Sequence, residues 1–292
     1  MTSTILDNIT YTHNPKGSGS QLIVNTLHSC YSHALIDHIF PYYWVLEDLC
    51  AHKYCMSAPQ IVVRKNAFIE FPHNYENIEN GKYKGIYIEL INLITDKPVL
   101  FDTDHVFEHT YAYPIDDMCT RSIWNSSLHY PDRSTLPEEP FYPDSVVKEK
   151  LNSFYNHVLN RLNISTNVKK EVSIIERRDS RKLHRSIVQK LMYYLECRVV
   201  YLEDMSFSAQ VELFNSSGVI ILAHGSAEIN LLFAPKNALV FEFDTETDRE
   251  SIYKRLCNLR ELTHTVLPHC EDLDIKTEIV DKISAGLKDI QY

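Results

Sequence analysis

The stretch RVVYLEDMSFSAQVELFNSSGVIILAHG, residues 198–225, decides the fold. Two short apolar runs rich in β-branched residues, RVVYLE (198–203) and GVIILA (218–223), flank a helical pattern, SFSAQVELFN (206–215). Working outward, the same alternation repeats. EVSIIE (171–176) and ALVFEF (238–243) read as two more strands, and RKLHRSIVQKLMYYLE (181–196) as the helix between the first two. Strand alternating with helix is the pattern of right-handed βαβ units, which build a parallel sheet covered on both faces. The expectation is an α/β, Rossmann-like C-terminal domain over residues 146–275. An amphipathic helix follows (276–292) that can pack on either domain.

The first half reads as mixed α/β, an N-terminal domain over 1–145. It has a helix from about Tyr31 to Ala51, a strand at 60–66, a helix at 86–94 and a strand at 98–102. Residues 111–145 are rich in Pro, Tyr and Asp without periodicity, and the domain junction is expected there.

Bulk properties narrow the function. At 292 residues, with 44% apolar and 23% charged residues, the chain is globular and long enough for two cores. A net charge of −10 argues against a general nucleic-acid or anionic-membrane binder, since both need a basic footprint. The seven cysteines are scattered, with no C-x-x-C, which fits reduced thiols. No signal-peptide pattern and no membrane-length apolar run is present, so a soluble, cytoplasmic protein is expected.

In open α/β sheets, ligands bind outside the carboxyl ends of the strands. The four C-terminal runs end in Glu176-Arg177-Arg178-Asp179-Ser180-Arg181, Glu203-Asp204, His224-Gly225-Ser226 and Glu242-Phe243-Asp244. Each group has an ordinary structural reading as a solvated or capping residue, but four polar ends delivered to one edge look like a site. Arg177 and Arg181, four apart, can hold a pyrophosphate. His224-Gly225-Ser226 precedes AEINLLF, so a helix N-terminus with free amides is expected there. Neither G-x-G-x-x-G nor a Walker A loop is present, which disfavours a dehydrogenase or a P-loop NTPase and leaves a nucleotide diphosphate carrying something else, such as a sugar.

NTLHSCYSHALIDHIFPYY (25–43) spaces His28, His33 and His38 five apart, so on a helix the three do not share a face. His33 and Asp37, four apart, do, as either an acid–base pair or a local ion pair.

The residues from 174 to 243 resemble glycosyltransferase family 61. The shared pattern is R-x-x-x-R (Arg177, Arg181), a Glu after a strand (Glu203), Phe207 and Gln210 in the next helix, and His224-Gly225-Ser226. Asn230 with Phe233 and Pro235, and then Glu242 at a strand end, complete it. His33, Asp37 and Pro41 look like the counterpart of an N-terminal family segment, N-x-x-H-x-x-x-D-x-x-P. Ser226 replaces the usual Ala, and Arg185 stands where Asn is common.

The resemblance implies a GT-B architecture of two Rossmann-like domains facing a cleft, and an inverting, metal-independent transfer of a hexosyl or pentosyl unit. The donor would be a nucleotide-diphosphate sugar, a UDP-sugar first, and the acceptor a glycan or glycoconjugate, with no further cofactor. Asp37 or His33 is then expected as base, Arg177 and Arg181 on the diphosphate, His224, Gly225, Ser226 and Asn230 in the donor pocket, and Glu203 and Glu242 on nucleoside or sugar hydroxyls. Two competing readings are a non-catalytic sugar- or nucleotide-binding scaffold on the same fold and a metal-dependent transferase using the D-x-D of Asp102-Thr103-Asp104. A hydrolase of phosphorylated sugars is a third.

Overall fold

The computed structural model describes residues 10–24, 34–51, 59–63, 84–101, 104–112, 142–166, 169–178, 182–244, 253–270 and 273–286. The chain divides into two compact units, Met1–Ser122 with Pro137–Val146, and Ile123–Leu136 with Val147–Tyr292. Both are mixed α/β with a five-stranded, mainly parallel sheet.

The first sheet contains β1 (Thr10–His13), β2 (Ser20–Val24), β3 (Gln60–Val63), β4 (Leu100–Phe101) and β5 (His109–Ala112), in the order β1-β5-β2-β3-β4. Only the β1–β5 pair is antiparallel. After β2, the described chain resumes in a π-helical turn, Ala34–Ile39, that runs into α1 (Phe40–Ala51). Pro41 in the first turn of α1 has no N–H to give the preceding turn, which fits a change of helical hydrogen bonding there. Helix α1 is buried from Phe40 through Leu46, as befits a helix with no polar stripe, and Trp44 packs on Tyr142 with ring centroids 4.8 Å apart. Helix α2 (Lys84–Ile94) completes this unit, and the strand expected at 98–102 is confined to β4.

The second unit carries the sheet anticipated from residues 171–243. Its strands are β6 (Lys169–Glu176), β7 (Cys197–Tyr201), β8 (Ser217–Ala223), β9 (Leu239–Asp244) and β10 (Thr263–Pro268). The order is β10-β9-β8-β6-β7, parallel throughout. Every residue of β8 and β9 is buried, so these central strands read as continuous apolar runs rather than alternating ones.

Helices α3 (Asp144–Leu162), α4 (Arg185–Tyr194), α5 (Phe207–Ser216), α6 (Tyr253–Leu259) and α7 (Asp281–Gly286) accompany this sheet. One sheet face, formed by Val172, Ile174, Val219, Ile221, Phe241 and Phe243, shares a buried cluster with Ile187 and Leu191 of α4. Ile275, Ile279 and Ile283, spaced four apart, join the same cluster, so the C-terminal helix packs on this sheet. Helix α5 starts at Ser206, whose hydroxyl accepts from Ala209 N at 3.3 Å.

Helix α3, absent from the reading of the sequence, buries Val147, Leu151, Phe154 and Val158. It is pinned at the amino-terminal edge of the sheet by Arg260. That side chain is 1% exposed, lies over the Tyr155 ring at 4.2 Å, and donates to Asn152 and to the Ala234 carbonyl. Burial holds its guanidinium down to about 10. Among the described residues, no helix is long and apolar enough to cross a membrane.

Candidate functional site

From β6 the chain steps outward to β7, then returns to the other side of β6 to form β8, β9 and β10. The strand order therefore reverses between β6 and β8, and it is at such a switch point, at the carboxyl ends, that doubly wound sheets leave a crevice. Ile175 pairs with Leu222. Arg177 follows the last residue of β6, and His224 the last residue of β8.

The carboxyl ends of β6 and β7 are built by local hydrogen bonds. Glu176, nearly buried, accepts from Arg177 N at 2.9 Å and from Leu183 N at 3.0 Å with one oxygen, tying both ends of the segment that carries the arginines. Arg178 makes a two-pronged contact with Asp204, Nη1 to Oδ1 at 2.7 Å and Nη2 to Oδ2 at 2.5 Å, and its guanidinium lies 4.9 Å from the Tyr201 ring centroid. That pairing raises the arginine's pKa and lowers the aspartate's. Glu203 is exposed in the short 3₁₀ turn Leu202–Asp204 after β7.

Several residues that carry the family resemblance support this edge from behind. Asn230 is fully buried and donates to Gln210 Oε1 at 3.0 Å, while Gln210 Nε2 donates to the Leu202 and Met205 carbonyls at 3.1 and 3.3 Å. The pair thus holds the turn that presents Glu203. Phe207 and Phe233 pack edge to face with centroids 5.8 Å apart.

His224 is the centre of a denser cluster. Its Nδ1 lies 2.6 Å from Glu242 Oε1, 3.2 Å from Glu228 Oε2 and 3.7 Å from Asp244 Oδ2. The second Glu242 oxygen lies 2.7 Å from His264 Nε2. Both glutamates are fully buried, the His264 side chain is 4% exposed, and the His224 side chain is 29% exposed. Glu242 and Asn230 therefore present no surface of their own, and what this cluster shows to solvent is His224, with Ser226 partly exposed beside it.

The electrostatics follow from this packing. The contact to Glu228, and then that to Glu242, push His224 up to about 10, against a burial that pulls it down. Burial pushes the Glu228 carboxyl well above its usual range, His224 draws it back, and the neighbouring Glu242 charge raises it further. Its Oε1 has no hydrogen-bond partner among the described residues.

Gly225 makes the turn possible. Its φ of 151° and ψ of −172° belong to a region essentially restricted to glycine. The helix after it is 3₁₀, Ser226–Phe233, and the expectation of free amides needs correcting at its first position: Gly225 N is taken by Glu228 Oε2 at 2.9 Å. A buried carboxylate three residues into the turn competes for that amide before any ligand can.

His224, Glu228 and Glu242 form the one trio among the described residues whose ligand atoms fall within 4.8 Å of one another. The 2.6 Å separation is a hydrogen-bond length. Tetrahedral ligands 2.0–2.1 Å from zinc stand roughly 3.3 Å apart. The spacing within the trio is that of hydrogen-bonded groups.

Other expected site residues fall elsewhere. Arg181 and His33 lie outside the described residues. Asp37 falls in the π-helical turn Ala34–Ile39 that follows β2, with its side chain outside the description. Of the D-x-D, Asp102 and Thr103 are outside it and Asp104 is exposed. Reading the sequence missed Glu228 and His264, and, though it placed Arg178, Asp204 and Asp244 at strand ends, it missed the Arg178–Asp204 pair and the approach of Asp244 to His224. G-S-A-E at 225–228 carries the signal for Glu228, a cap residue followed three positions later by Glu. Nothing local to His264 signals its partner, which stands 22 positions away.

Compared with known protein families, the chain matches the model of the Glycosyltransferase 61 family over residues 31–241, most of its length. The chain belongs to that family, and is on that ground a glycosyltransferase. No curated protein matches it.

Proposed function

We propose that this glycosyltransferase moves a hexosyl or pentosyl unit from a nucleotide-diphosphate sugar, with UDP the first candidate, to a glycan or glycoconjugate hydroxyl, with inversion and without a metal ion. The observation that carries the reading is the switch point of the second sheet, where Arg177 directly follows β6 and His224 directly follows the neighbouring β8. A nucleoside diphosphate leaving group needs cationic and N–H donors aimed at its oxygens. Arg177 and His224 are groups of that chemistry at this edge, and Arg181, outside the described residues, is assigned to it by the family resemblance.

In the reaction, the acceptor oxygen forms a bond to the anomeric carbon as the bond from that carbon to the phosphate oxygen breaks on the opposite face. The acceptor proton passes to a base, and Asp37 or His33 is the choice. Support for the base comes from the first sheet. Strand order reverses there between β2 and β5, and the segment carrying His33 and Asp37 leaves the carboxyl end of β2. Two such units are what a GT-B enzyme requires, with the donor on the C-terminal one. Ser226 and Glu203 would line the donor pocket, while Asn230 and Glu242 act through the groups they hold.

The test is thermal denaturation with UDP-, GDP-, dTDP- and CMP-sugars, with and without EDTA, on the wild type and on Arg177→Ala. A ligand that binds only the native state raises the midpoint. One nucleotide class should stabilise the wild type, be indifferent to EDTA and lose its effect in the variant. Stabilisation that needs a divalent cation refutes the metal-independent reading, and no stabilisation by any nucleotide sugar favours the scaffold.

A further inference from the structure

We propose that His264 and Glu228 are positioning residues that, with Glu242 between them, hold the His224 ring as a fixed cation whose Nε2–H faces the crevice and donates to the diphosphate of the sugar donor. This rests on the donor site proposed above and deepens it. Neither His264 nor Glu228 belongs to the pattern that identified the family, and the family match ends at residue 241, before Glu242 and His264.

The geometry builds the arrangement in three steps. Glu242 is fully buried, and each of its oxygens meets a different histidine, His224 at 2.6 Å and His264 at 2.7 Å. The carboxylate cannot turn without abandoning one of them, so His264 sets the plane in which Glu242 meets His224. Glu228 then ties the ring to its own turn, one oxygen lying 2.9 Å from Gly225 N and 3.2 Å from His224 Nδ1.

The groups facing His224 come from every neighbouring element. Glu228 lies on the 3₁₀ helix, Glu242 and Asp244 on β9, and Tyr253 on α6 with its ring centroid 5.9 Å away. Behind them stand His264 on β10 and the buried Cys257 thiol of α6, itself pushed up by burial and by the charges of Glu228 and Glu242. Three carboxylates face Nδ1, and among the described residues Nε2 has no partner. A neutral ring bonded this way would turn a lone pair outward and repel a phosphate oxygen; the charged ring turns out an N–H.

The experiment follows the ring nitrogens by long-range ¹H–¹⁵N NMR across pH, with His224 assigned by comparison with His224→Gln. It is run on the wild type, Glu228→Gln, His264→Phe and His264→Gln, the last keeping an amide donor for Glu242. In the wild type, His224 should stay doubly protonated well above the ordinary histidine midpoint of about 6.5. That midpoint should fall to about 7 or below in His264→Phe and Glu228→Gln, with His264→Gln closer to the wild type.

Calorimetry with UDP, GDP, dTDP and CMP is the second arm. The nucleotide that binds the wild type should lose about tenfold in affinity in those two variants at about pH 8 and recover it near pH 6, where any imidazole is charged. A purely structural defect would not be rescued by acid. A wild-type His224 that titrates near 6.5, or variants that leave its midpoint in place, overturn the relay while leaving the donor site standing. Binding of none of the nucleotides sinks the donor site and this use of the ring with it, whatever the NMR shows.

Discussion

Gly225 and Glu228 exchange hydrogen bonds: the glycine N–H donates to Glu228 Oε2 at 2.9 Å, and the Glu228 N–H returns a bond to the glycine carbonyl at 3.0 Å. The exchange locks the backbone of Gly225 at φ 151°, where a side chain is strained. Gly225→Ala should cost about 1–3 kcal/mol and lower the melting midpoint by roughly several degrees. An unchanged midpoint in calorimetry would show that the turn relaxes freely and that Glu228 is not held by it.

Removing Glu242 should be worse than neutralising it. Glu242→Ala opens a void and leaves two histidines with their shared partner gone, an outcome expected to cost about 3–5 kcal/mol. Glu242→Gln keeps the shape and one acceptor, so its loss should be clearly smaller. Urea denaturation of the pair decides, and equal losses would mean that packing rather than charge sets the value of this residue.

Stability should fall on both sides of neutral pH, for reasons of opposite sign. His224 binds its proton more tightly folded than unfolded, so its contribution is complete below about 6.5 and lost as pH rises through about 10. On the acid side, Glu261 meets Lys148 and Lys236, each at 2.5 Å, and these contacts lower its carboxyl to about 2. Its contribution is present above about 4.5 and disappears as pH falls toward 2. Because that side chain is 37% exposed, water screening keeps the acid effect small, about 1 kcal/mol or less. Denaturation midpoints across pH should show the alkaline decline weakened in His224→Gln and the acid decline weakened in Glu261→Gln; identical profiles would assign the losses to other groups.

Cys257 is fully buried and its thiol is pushed well up, whereas Cys50 and Cys270 are exposed. An uncharged thiol reagent should modify Cys50 and Cys270 in the native protein and reach Cys257 only on unfolding. Peptide mapping that finds Cys257 labelled early would mean that α6 opens readily over the site.

The parallel sheet of the second unit was legible because its inner strands must be apolar throughout, as in GVIILA and ALVFEF, and because intervening helices mark parallel pairing. THTVLP did not announce β10, since an edge strand with Thr and His along it looks like a loop in isolation. Helix α3 does carry a legible spacing, Val147, Leu151, Phe154 and Val158, but the stretch just before it is rich in Pro and Asp and hides its start.

At the candidate site, Arg177, Glu203 and His224 could be named from the sequence because each follows directly on a strand end. Glu242 and Asp244 could be named as a strand end too, but their contact with His224 could not, because it is a matter of distance across strands. Glu242 looks the same in sequence whether it meets a sugar or two histidines.

The position of β10 gives one of those histidines an unusual leverage. Among the described strands it is an outermost one, hydrogen-bonded to β9 alone, so it can fray without opening β8 or β6. Each fraying event would take His264 away from Glu242 while the strand bearing His224 stays in place. The charge of a group at the centre of the sheet is thereby geared to the local breathing of its margin, and amide exchange along Thr263–Pro268 becomes a readout of how firmly the imidazole is held.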